Sequence, residues 1–147
     1  MNAVICIGMQ ASGKSTFFQR RFVDSHVRIN LDMLKTRNRE QRLIETCISI
    51  EQPFVVDNTN PTCADRARYI TRAQEAGFKV TGYYFQSSIE ACKTRNAARP
   101  ESALIPLKGL LGTHAKLELP SFDEGFDELF YVRIDDDGRF VVEEWQA

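Results

Sequence analysis

GMQASGKST, at residues 8–16, follows an apolar run of strand length and precedes a stretch with helical character. The pattern G-x-x-x-x-G-K-S between a strand and a helix is typical of the phosphate-binding loop of nucleotide hydrolases and kinases. Gly8 and Gly13 permit backbone conformations that a Cβ atom would forbid, so that backbone N–H groups and the helix N-terminus can surround anionic oxygens. The sequence therefore predicts a nucleotide site between the first strand and the first helix.

The loop also contains the side chains that a phosphate chain and a divalent cation require. We expect Lys14 to reach the β- and γ-phosphates of ATP and Ser15 to place its hydroxyl on Mg²⁺. The other loop residues expected to bind the nucleotide are Gly8, Gln10, Ala11, Ser12, Gly13 and Thr16. The alternative, an ordinary glycine turn, is disfavoured because every fixed position of the motif is present.

Length, composition and cysteine usage restrict the class of protein. The chain has 147 residues, of which 43% are hydrophobic and 27% charged, as expected for one compact globular domain over residues 1–147. No apolar run is long enough to span a bilayer, and residues 1–15 lack the basic start and cleavage site of a signal peptide. The four cysteines form no C-x-x-C pair, which favours reduced thiols over disulfides or zinc. We therefore expect a cytoplasmic protein without a membrane partner.

The charge is distributed unevenly along the chain. Residues 1–117 contain 17 Lys and Arg against 10 Asp and Glu, whereas residues 118–147 contain 2 against 10. A basic body with an acidic tail fits a polyanionic ligand on one face. The alternative is that these charges are evenly distributed in space. The sequence gives the order of the charges along the chain and not their positions in space, so both interpretations stay open.

Apolar runs and helix signals alternate along the chain. We predict strands at residues 2–7, 27–30, 53–57 and 79–85, and helices at 14–23, 39–51, from a cap at 58–61 to Gly77, 88–98 and 103–117. Residues 129–134 and 139–144 flank a turn signal at 135–138 and predict a hairpin. This order predicts an α/β fold of the P-loop kinase type, with a mainly parallel sheet, helices on both faces and a C-terminal β-hairpin.

Two aspartates follow predicted strands, at the edge where parallel sheets bind ligands. Asp57 ends the third strand, the position of an acid that binds Mg²⁺ directly or through water. Asp32 follows the second strand, where a carboxylate can accept the proton of an attacking hydroxyl. A helix cap is the alternative for both. Because Asn58, Thr59 and Asn60 can also cap, the metal role is favoured for Asp57, whereas spacing leaves both roles open for Asp32.

Arg95 and Arg99 are spaced i, i+4 and share one face of a predicted helix. Two guanidinium groups on one face can clamp an anion if a phosphate lies near, whereas a solvated basic face is the more common outcome. His26 and His114 have no partner at a spacing that suits a metal site or a catalytic pair, and we assign neither of them a role.

Several of these segments together resemble the kinase module of the 5′-polynucleotide kinases, phage and mammalian. The resemblance covers most of the chain and rests on the phosphate loop, NLD at 30–32, VDNTNP at 56–61, RARY at 66–69, RNAAR at 95–99 and EGF at 124–126. The loop is common to many families, whereas Asp-Asn-Thr-Asn-Pro followed by Arg-Asn-x-x-Arg is far more specific. The family transfers the γ-phosphate of ATP to the 5′-hydroxyl of DNA or RNA, and the resemblance implies that activity in a standalone kinase domain.

The resemblance also implies roles for individual residues. Lys14 matches the lysine that stabilises the transition state, and Asp32 matches the general base. Arg99 matches the lid arginine on the donor phosphates, and Asp57 matches the acid near the metal. The residues expected to contact the acceptor are Asp32, Lys35, Arg37, Asn58 and Asn60.

Two positions depart from the family pattern. Leu31 stands where members often have arginine. Lys35 stands where the phage enzyme has arginine, and lysine keeps the charge there without the bidentate fork.

Two other functions stay open. Related P-loop kinases phosphorylate small hydroxyl compounds such as a nucleoside, a sugar or an antibiotic. A nucleotide-binding regulator without phosphate transfer is the other alternative, but it would need neither Asp32 nor Arg99.

Overall fold

The computed structural model describes residues 1–146, in which helices pack on both faces of a six-stranded sheet. The strands are Asn2–Ile7 (β1), Val27–Ile29 (β2), Phe54–Val56 (β3), Lys79–Phe85 (β4), Glu128–Ile134 (β5) and Phe140–Glu144 (β6). The α-helices are Lys14–Arg21 (α1), Leu31–Leu34 (α2), Arg37–Ser49 (α3), Cys63–Glu75 (α4), Ile89–Ala97 (α5) and Leu107–Lys116 (α6). Short 3₁₀ turns lie at Glu101–Ala103 and Phe122–Glu124.

The strand order places the phosphate loop at the centre of the sheet. The order is β2-β3-β1-β4-β5-β6; the first five strands are parallel, and β6 pairs antiparallel with β5. Because β1 lies between β3 and β4, the loop that follows it opens at the middle of the carboxyl edge, where such sheets bind ligands. The predicted α/β fold with a C-terminal hairpin is confirmed.

Side-chain alternation along the strands builds a core on each face of the sheet. In β1, Ala3, Ile5 and Ile7 belong to the core under α3 and α4, while Val4 and Cys6 belong to the core under α1. All five side chains are buried. Burial on both faces explains why this strand is an unbroken apolar run in the sequence.

Two helix caps exclude one of the two roles that the sequence left open for the strand-end aspartates, namely that of a cap. Helix α4 is capped by Thr62, whose hydroxyl accepts a hydrogen bond from a backbone N–H of the first turn, so the predicted cap at residues 58–61 is wrong. Helix α2, which the sequence raised only as the helix that Asp32 would cap, is instead capped by Asn30, whose Oδ1 accepts a hydrogen bond from the backbone N–H of Met33. Neither Asp57 nor Asp32 therefore caps a helix.

The C-terminal hairpin packs against the phosphate loop. Asp135 closes its turn, with Oδ1 accepting hydrogen bonds from the backbone N–H groups of Asp137 and Arg139. Gly13 has a φ of +106°, and a Cβ atom there would lie 3.0 Å from the Phe140 ring. Both the left-handed backbone and the approach of the hairpin therefore require glycine at this position.

Ion pairs neutralise part of the acidic segment after residue 117. Arg66 is fully buried and donates to the two carboxylate oxygens of Glu124, at 2.7 and 3.1 Å. Glu128 pairs with Lys79 across adjacent strands. The charge asymmetry of the sequence is therefore partly cancelled in space.

Two further expectations concern cysteines and membrane segments. Cys6, Cys47, Cys63 and Cys92 are all free thiols, and Cys63 is the one of the four that is not buried. No helix within residues 1–146 is both long enough and apolar enough to cross a membrane.

Candidate active site

A cleft of about 470 Å³ opens at the carboxyl edge of the sheet. It is lined by the phosphate loop, α2, the segment after β3 and residues from the α5–α6 region. The predicted site residues that line it are Gln10, Ala11, Gly13, Lys14, Ser15, Thr16, Asp32, Arg37, Asp57, Asn58, Asn60 and Arg99. Those outside the lining are Gly8, Ser12, Lys35 and Arg95. The fold thus brings most of the predicted site together.

Lys14 is the first residue of α1, and its ammonium group is held inside the phosphate loop. Its exposure is 8%, and Nζ donates to the backbone carbonyls of Gly8 at 2.8 Å and Met9 at 2.7 Å. Burial lowers the pKa of Lys14 from 10.5 to about 8, although the nearby Asp57 carboxylate opposes this shift. The positive charge of Lys14 is therefore held in place before a phosphate binds, and Lys14 loses its proton within an accessible pH range.

This pKa predicts an alkaline limit to nucleotide binding. Phosphate favours the charged form of Lys14, so affinity should be constant below the pKa of about 8 and should fall as the free protein loses this proton. We expect the Kd for ADP, measured by calorimetry in EDTA, to rise about tenfold from about pH 7.5 to about pH 9. Lys14→Ala should lack this dependence, and a flat profile in the parent protein would contradict the assignment.

Asp57, Ser15 and Arg28 form a hydrogen-bonded cluster at the base of α1. Asp57 is buried directly after β3, and its Oδ2 accepts hydrogen bonds from Ser15 Oγ at 3.0 Å and Arg28 Nε at 2.8 Å. Arg28 Nη2 also donates to Ser15 Oγ at 3.0 Å. Arg28 lies on the α1 side of β2 because its neighbours Val27 and Ile29 pack into the core on the other face.

The donor atoms of this cluster suit magnesium. Ser15 offers a hydroxyl and Asp57 a carboxylate, and Mg²⁺ prefers oxygen ligands with water and substrate phosphates completing its shell. The part of the chain that the structure describes has no group of three or more His, Cys, Asp or Glu that could hold a metal ion by itself. Ser15 and Asp57 are the residues of this cluster that would hold a magnesium ion.

Asp32 lies in the first turn of α2, and its side chain is exposed where it lines the cleft. Two asparagines hold this short helix in place. Asn30 Nδ2 donates to the carbonyl of Asp57 at 2.6 Å, and Asn58 Oδ1 accepts from the backbone N–H of Leu31 at 2.9 Å. The carboxylate is thus presented to the cleft by a fixed backbone and is open to an acceptor hydroxyl.

A buried glutamate organises the same side of the cleft. Glu40 is 2% exposed, and its carboxylate accepts hydrogen bonds from Arg37 Nη1 at 2.9 Å, Asn58 Nδ2 at 3.0 Å and the Tyr69 hydroxyl at 3.1 Å. Arg37 Nη1 also donates to the Tyr69 oxygen at 2.9 Å. Through Asn58, this network joins α3 and α4 to the helix that carries Asp32.

Helices α5 and α6 contact the phosphate loop. Arg95 Nη1 donates to the carbonyl of Ala11 at 2.9 Å, so its side chain supports the loop backbone. Gln10 Nε2 donates to Thr113 Oγ1 on α6 at 3.0 Å. Arg99 lines the main cleft, and Arg95 and Arg99 together line a smaller hollow of about 210 Å³ between the loop and the hairpin.

Two residues predicted to contact the acceptor differ from Asp32: Lys35 lies outside the cleft lining, and Asn60 lines the cleft while its amide group binds the backbone of β1. Lys35 ends α2 with a φ of +74° and is exposed outside the cleft lining. Asn60 is 4% exposed, and its Nδ2 donates to the carbonyl of Cys6 at 2.8 Å, which ties the segment after β3 to β1. Of the two predicted acceptor cations, Arg37 is the one that lines the cleft.

Sequence reasoning missed the roles of Arg28, Glu40 and Tyr69. Arg28 interrupts an apolar strand with a charge, and that interruption was an available signal. Glu40 shares the buried face of α3 with Ile44 and Cys47, so a carboxylate in an apolar stripe was a second signal. For Tyr69 the sequence offered nothing beyond its place in the RARY segment.

Comparison with known proteins identifies a domain family and a distant relative. A family model described as an AAA domain, AAA_33, matches residues 4–120. The bifunctional polynucleotide phosphatase/kinase of Schizosaccharomyces pombe is 31% identical over an alignment of 133 positions, which covers 84% of this chain and 31% of that protein. The chain therefore spans about a third of the length of this relative.

Solved structures of low identity share the fold. Kti12 of Chaetomium thermophilum in complex with ADP-AlF3 is 15% identical with a TM-score of 0.68, over 92% of this chain and 90% of that one. A gluconokinase from Sinorhizobium meliloti 1021 is 16% identical with a TM-score of 0.62, over 90% and 82%. Because the family model spans the phosphate loop, both strand-end aspartates and Arg99, the chain belongs to the AAA_33 family of AAA domains and has the α/β P-loop kinase fold.

Proposed function

We propose that the protein is an ATP-dependent kinase that transfers the γ-phosphate to the 5′-hydroxyl end of a polynucleotide. The observation that carries this proposal is a single cleft that contains Lys14 of the phosphate loop, the exposed carboxylate of Asp32 and the guanidinium groups of Arg37 and Arg99. A regulator that only binds nucleotide would need no carboxylate at the position of Asp32. The similarity to a polynucleotide phosphatase/kinase supports the choice of acceptor.

The donor half of the site would bind the phosphates of ATP. Backbone N–H groups of the loop and the Lys14 ammonium would bind the β- and γ-phosphates, and Arg99 would add charge from the other wall of the cleft. Ser15 and Asp57 would hold Mg²⁺, which neutralises charge on the β- and γ-oxygens when it is bound. Fixed positive groups of this kind stabilise the negative charge of the transition state without reorganisation.

The acceptor half would orient the attacking hydroxyl. Asp32 would accept a hydrogen bond from the 5′-hydroxyl and then take its proton as the oxygen–phosphorus bond forms and the bond to the ADP leaving group breaks. Because the transition state is loose, this proton leaves late and the carboxylate acts chiefly by orientation. The Arg37 side chain, 51% exposed at the cleft, would contact the first phosphate of the acceptor.

The direct test is incubation of the protein with γ-labelled ATP and a matched set of acceptors. The set consists of a 5′-OH RNA, a 5′-OH DNA of the same sequence, a nucleoside panel and a sugar panel. We expect label on the oligonucleotides. The acceptor KM should rise with salt, and the shallow slope of log KM against log salt should correspond to about two to three neutralised phosphates. Equal efficiency on a nucleoside or sugar without a salt effect would favour a small-molecule kinase. ADP binding without transfer to any acceptor would favour the regulator.

Arg37→Ala should separate acceptor binding from donor binding. Because Arg37 lines the cleft, its loss should raise the oligonucleotide KM by roughly tenfold and reduce the salt slope by about one, with the ATP KM nearly unchanged. Lys35→Ala should shift the acceptor KM in the same direction by less, because Lys35 lies outside the lining. Arg42→Ala, an exposed arginine on α3, is the matched control. An equal shift of KM for nucleosides and oligonucleotides would contradict a phosphate contact.

A further inference from the structure

Arg28 contacts both residues assigned to the magnesium ion. Its Nε lies 2.8 Å from Asp57 Oδ2, and its Nη2 lies 3.0 Å from Ser15 Oγ. The Asp57 side chain is 1% exposed and that of Arg28 is 30% exposed. The carboxylate is therefore enclosed by protein, while its arginine partner still reaches solvent.

The hydroxyl of Ser15 has little capacity left for another ligand. A serine hydroxyl has one proton and two lone pairs. Here the proton is directed to Asp57, and one lone pair accepts the hydrogen bond from Arg28. A cation that binds Ser15 must therefore use the remaining lone pair beside a guanidinium group.

The distances make a guanidinium and a magnesium ion compete at this point. Mg²⁺ binds oxygen at about 2.1 Å, so an ion on Ser15 Oγ would lie within about 5 Å of Arg28 Nη2. Two positive charges repel at that separation, and both draw on the oxygens of Ser15 and Asp57. The arginine satisfies the buried carboxylate of Asp57, which would be costly to leave unpaired.

We propose that Arg28 is a resident counter-ion of Asp57 that Mg²⁺ must displace, so that Arg28 sets the metal affinity of the nucleotide site. Arg28 weakens metal binding to the protein alone, and nucleotide phosphates supply the additional negative charge that favours the ion. Its partly exposed side chain can move toward solvent when the ion binds. The inference rests on the donor site of the proposed function and is independent of the acceptor.

Arg28→Met tests this directly, because it keeps an unbranched apolar stem and removes the charge. The Kd for ADP is measured by calorimetry in EDTA and in saturating Mg²⁺. The Kd in EDTA divided by the Kd in Mg²⁺ gives the coupling between metal and nucleotide. We expect Arg28→Met to raise this ratio roughly fivefold, because the ion no longer has to displace a partly exposed arginine from Asp57. A Mn²⁺ titration of the ADP complex, followed by electron paramagnetic resonance, should show the same tightening without any turnover.

Matched variants separate competition from a structural effect. Arg28→Lys keeps a positive charge and should stay near the parent ratio, and Arg42→Met on α3 should leave it unchanged. An unchanged or smaller ratio in Arg28→Met overturns the inference. If that variant does not fold, Arg28→Gln keeps a hydrogen-bond donor without charge and is subject to the same criterion. A parent protein that binds no ADP overturns the donor site and this inference together, whereas normal ADP binding with an unaltered ratio overturns only the role of Arg28.

Discussion

Lys14→Ala is expected to lower the turnover of phosphate transfer by roughly two orders of magnitude or more. In the structure the ammonium group is buried in the loop on the carbonyls of Gly8 and Met9. A charge fixed in this way stabilises developing negative charge on the transferred phosphate without reorganisation, and water cannot replace it in an enclosed loop. Turnover at saturating ATP and acceptor, measured with γ-labelled ATP, gives the effect.

The alanine also removes a hydrogen-bond donor from the loop, so the stability of the variant must be followed. Thermal unfolding shows whether the loss of activity comes with loss of the fold. Lys93→Ala, an exposed lysine on α5, is the matched control and should leave turnover unchanged. Near-normal transfer by a folded Lys14→Ala protein would contradict a role for this charge in the transition state.

Much of the fold could be predicted because its signals are local in the sequence. Burial of β1 on both faces produces an unbroken apolar run, and the phosphate loop follows it directly. The hairpin turn is likewise specified within a few residues by Asp135 and Gly138. Helix α2 was raised only as an alternative, through the possible cap at Asp32, because four residues are too few to show a helical period.

The candidate site could be predicted where its chemistry lies at the ends of strands. Parallel pairing carries Lys14, Asp32 and Asp57 to one edge of the sheet, and the alternation of strands and helices predicts that pairing. Arg99 was a candidate from its i, i+4 spacing with Arg95, the resemblance to a known kinase family favoured it further, and the structure places it in the same cleft.

Contacts between side chains far apart in the chain could not be predicted. The pair of Arg28 and Asp57 spans 29 residues, and the pair of Arg66 and Glu124 spans 58. Each depends on strand register or on the packing of α4 against the C-terminal segment, and local periodicity encodes neither. The hydrogen bond from the Asn60 amide to the carbonyl of Cys6 shows the same limit, because it joins residues that are 54 positions apart in the chain.

Asp32→Asn is expected to spare ATP binding and to lower phosphate transfer by about 10²- to 10⁴-fold. The side chain is exposed, and its helix is held by Asn30 and Asn58 rather than by Asp32 itself, so the amide variant should fold normally. An amide cannot take the proton of the acceptor hydroxyl. It also has an NH₂ group, which donates hydrogen bonds, in place of one of the two oxygens that accept them in the carboxylate. Single-turnover transfer from γ-labelled ATP measures this loss, and calorimetry with ADP measures binding.

Comparison of the two variants distinguishes the donor and acceptor assignments. Lys14→Ala should weaken ADP binding together with transfer, because Lys14 is assigned to the donor phosphates, whereas Asp32→Asn should change transfer alone. Asp123→Asn, an exposed acid in the C-terminal segment, controls for the loss of one negative charge. Loss of ATP affinity with intact transfer in Asp32→Asn would reverse its assignment from the acceptor to the donor, because a carboxylate that only oriented the hydroxyl would not touch the nucleotide.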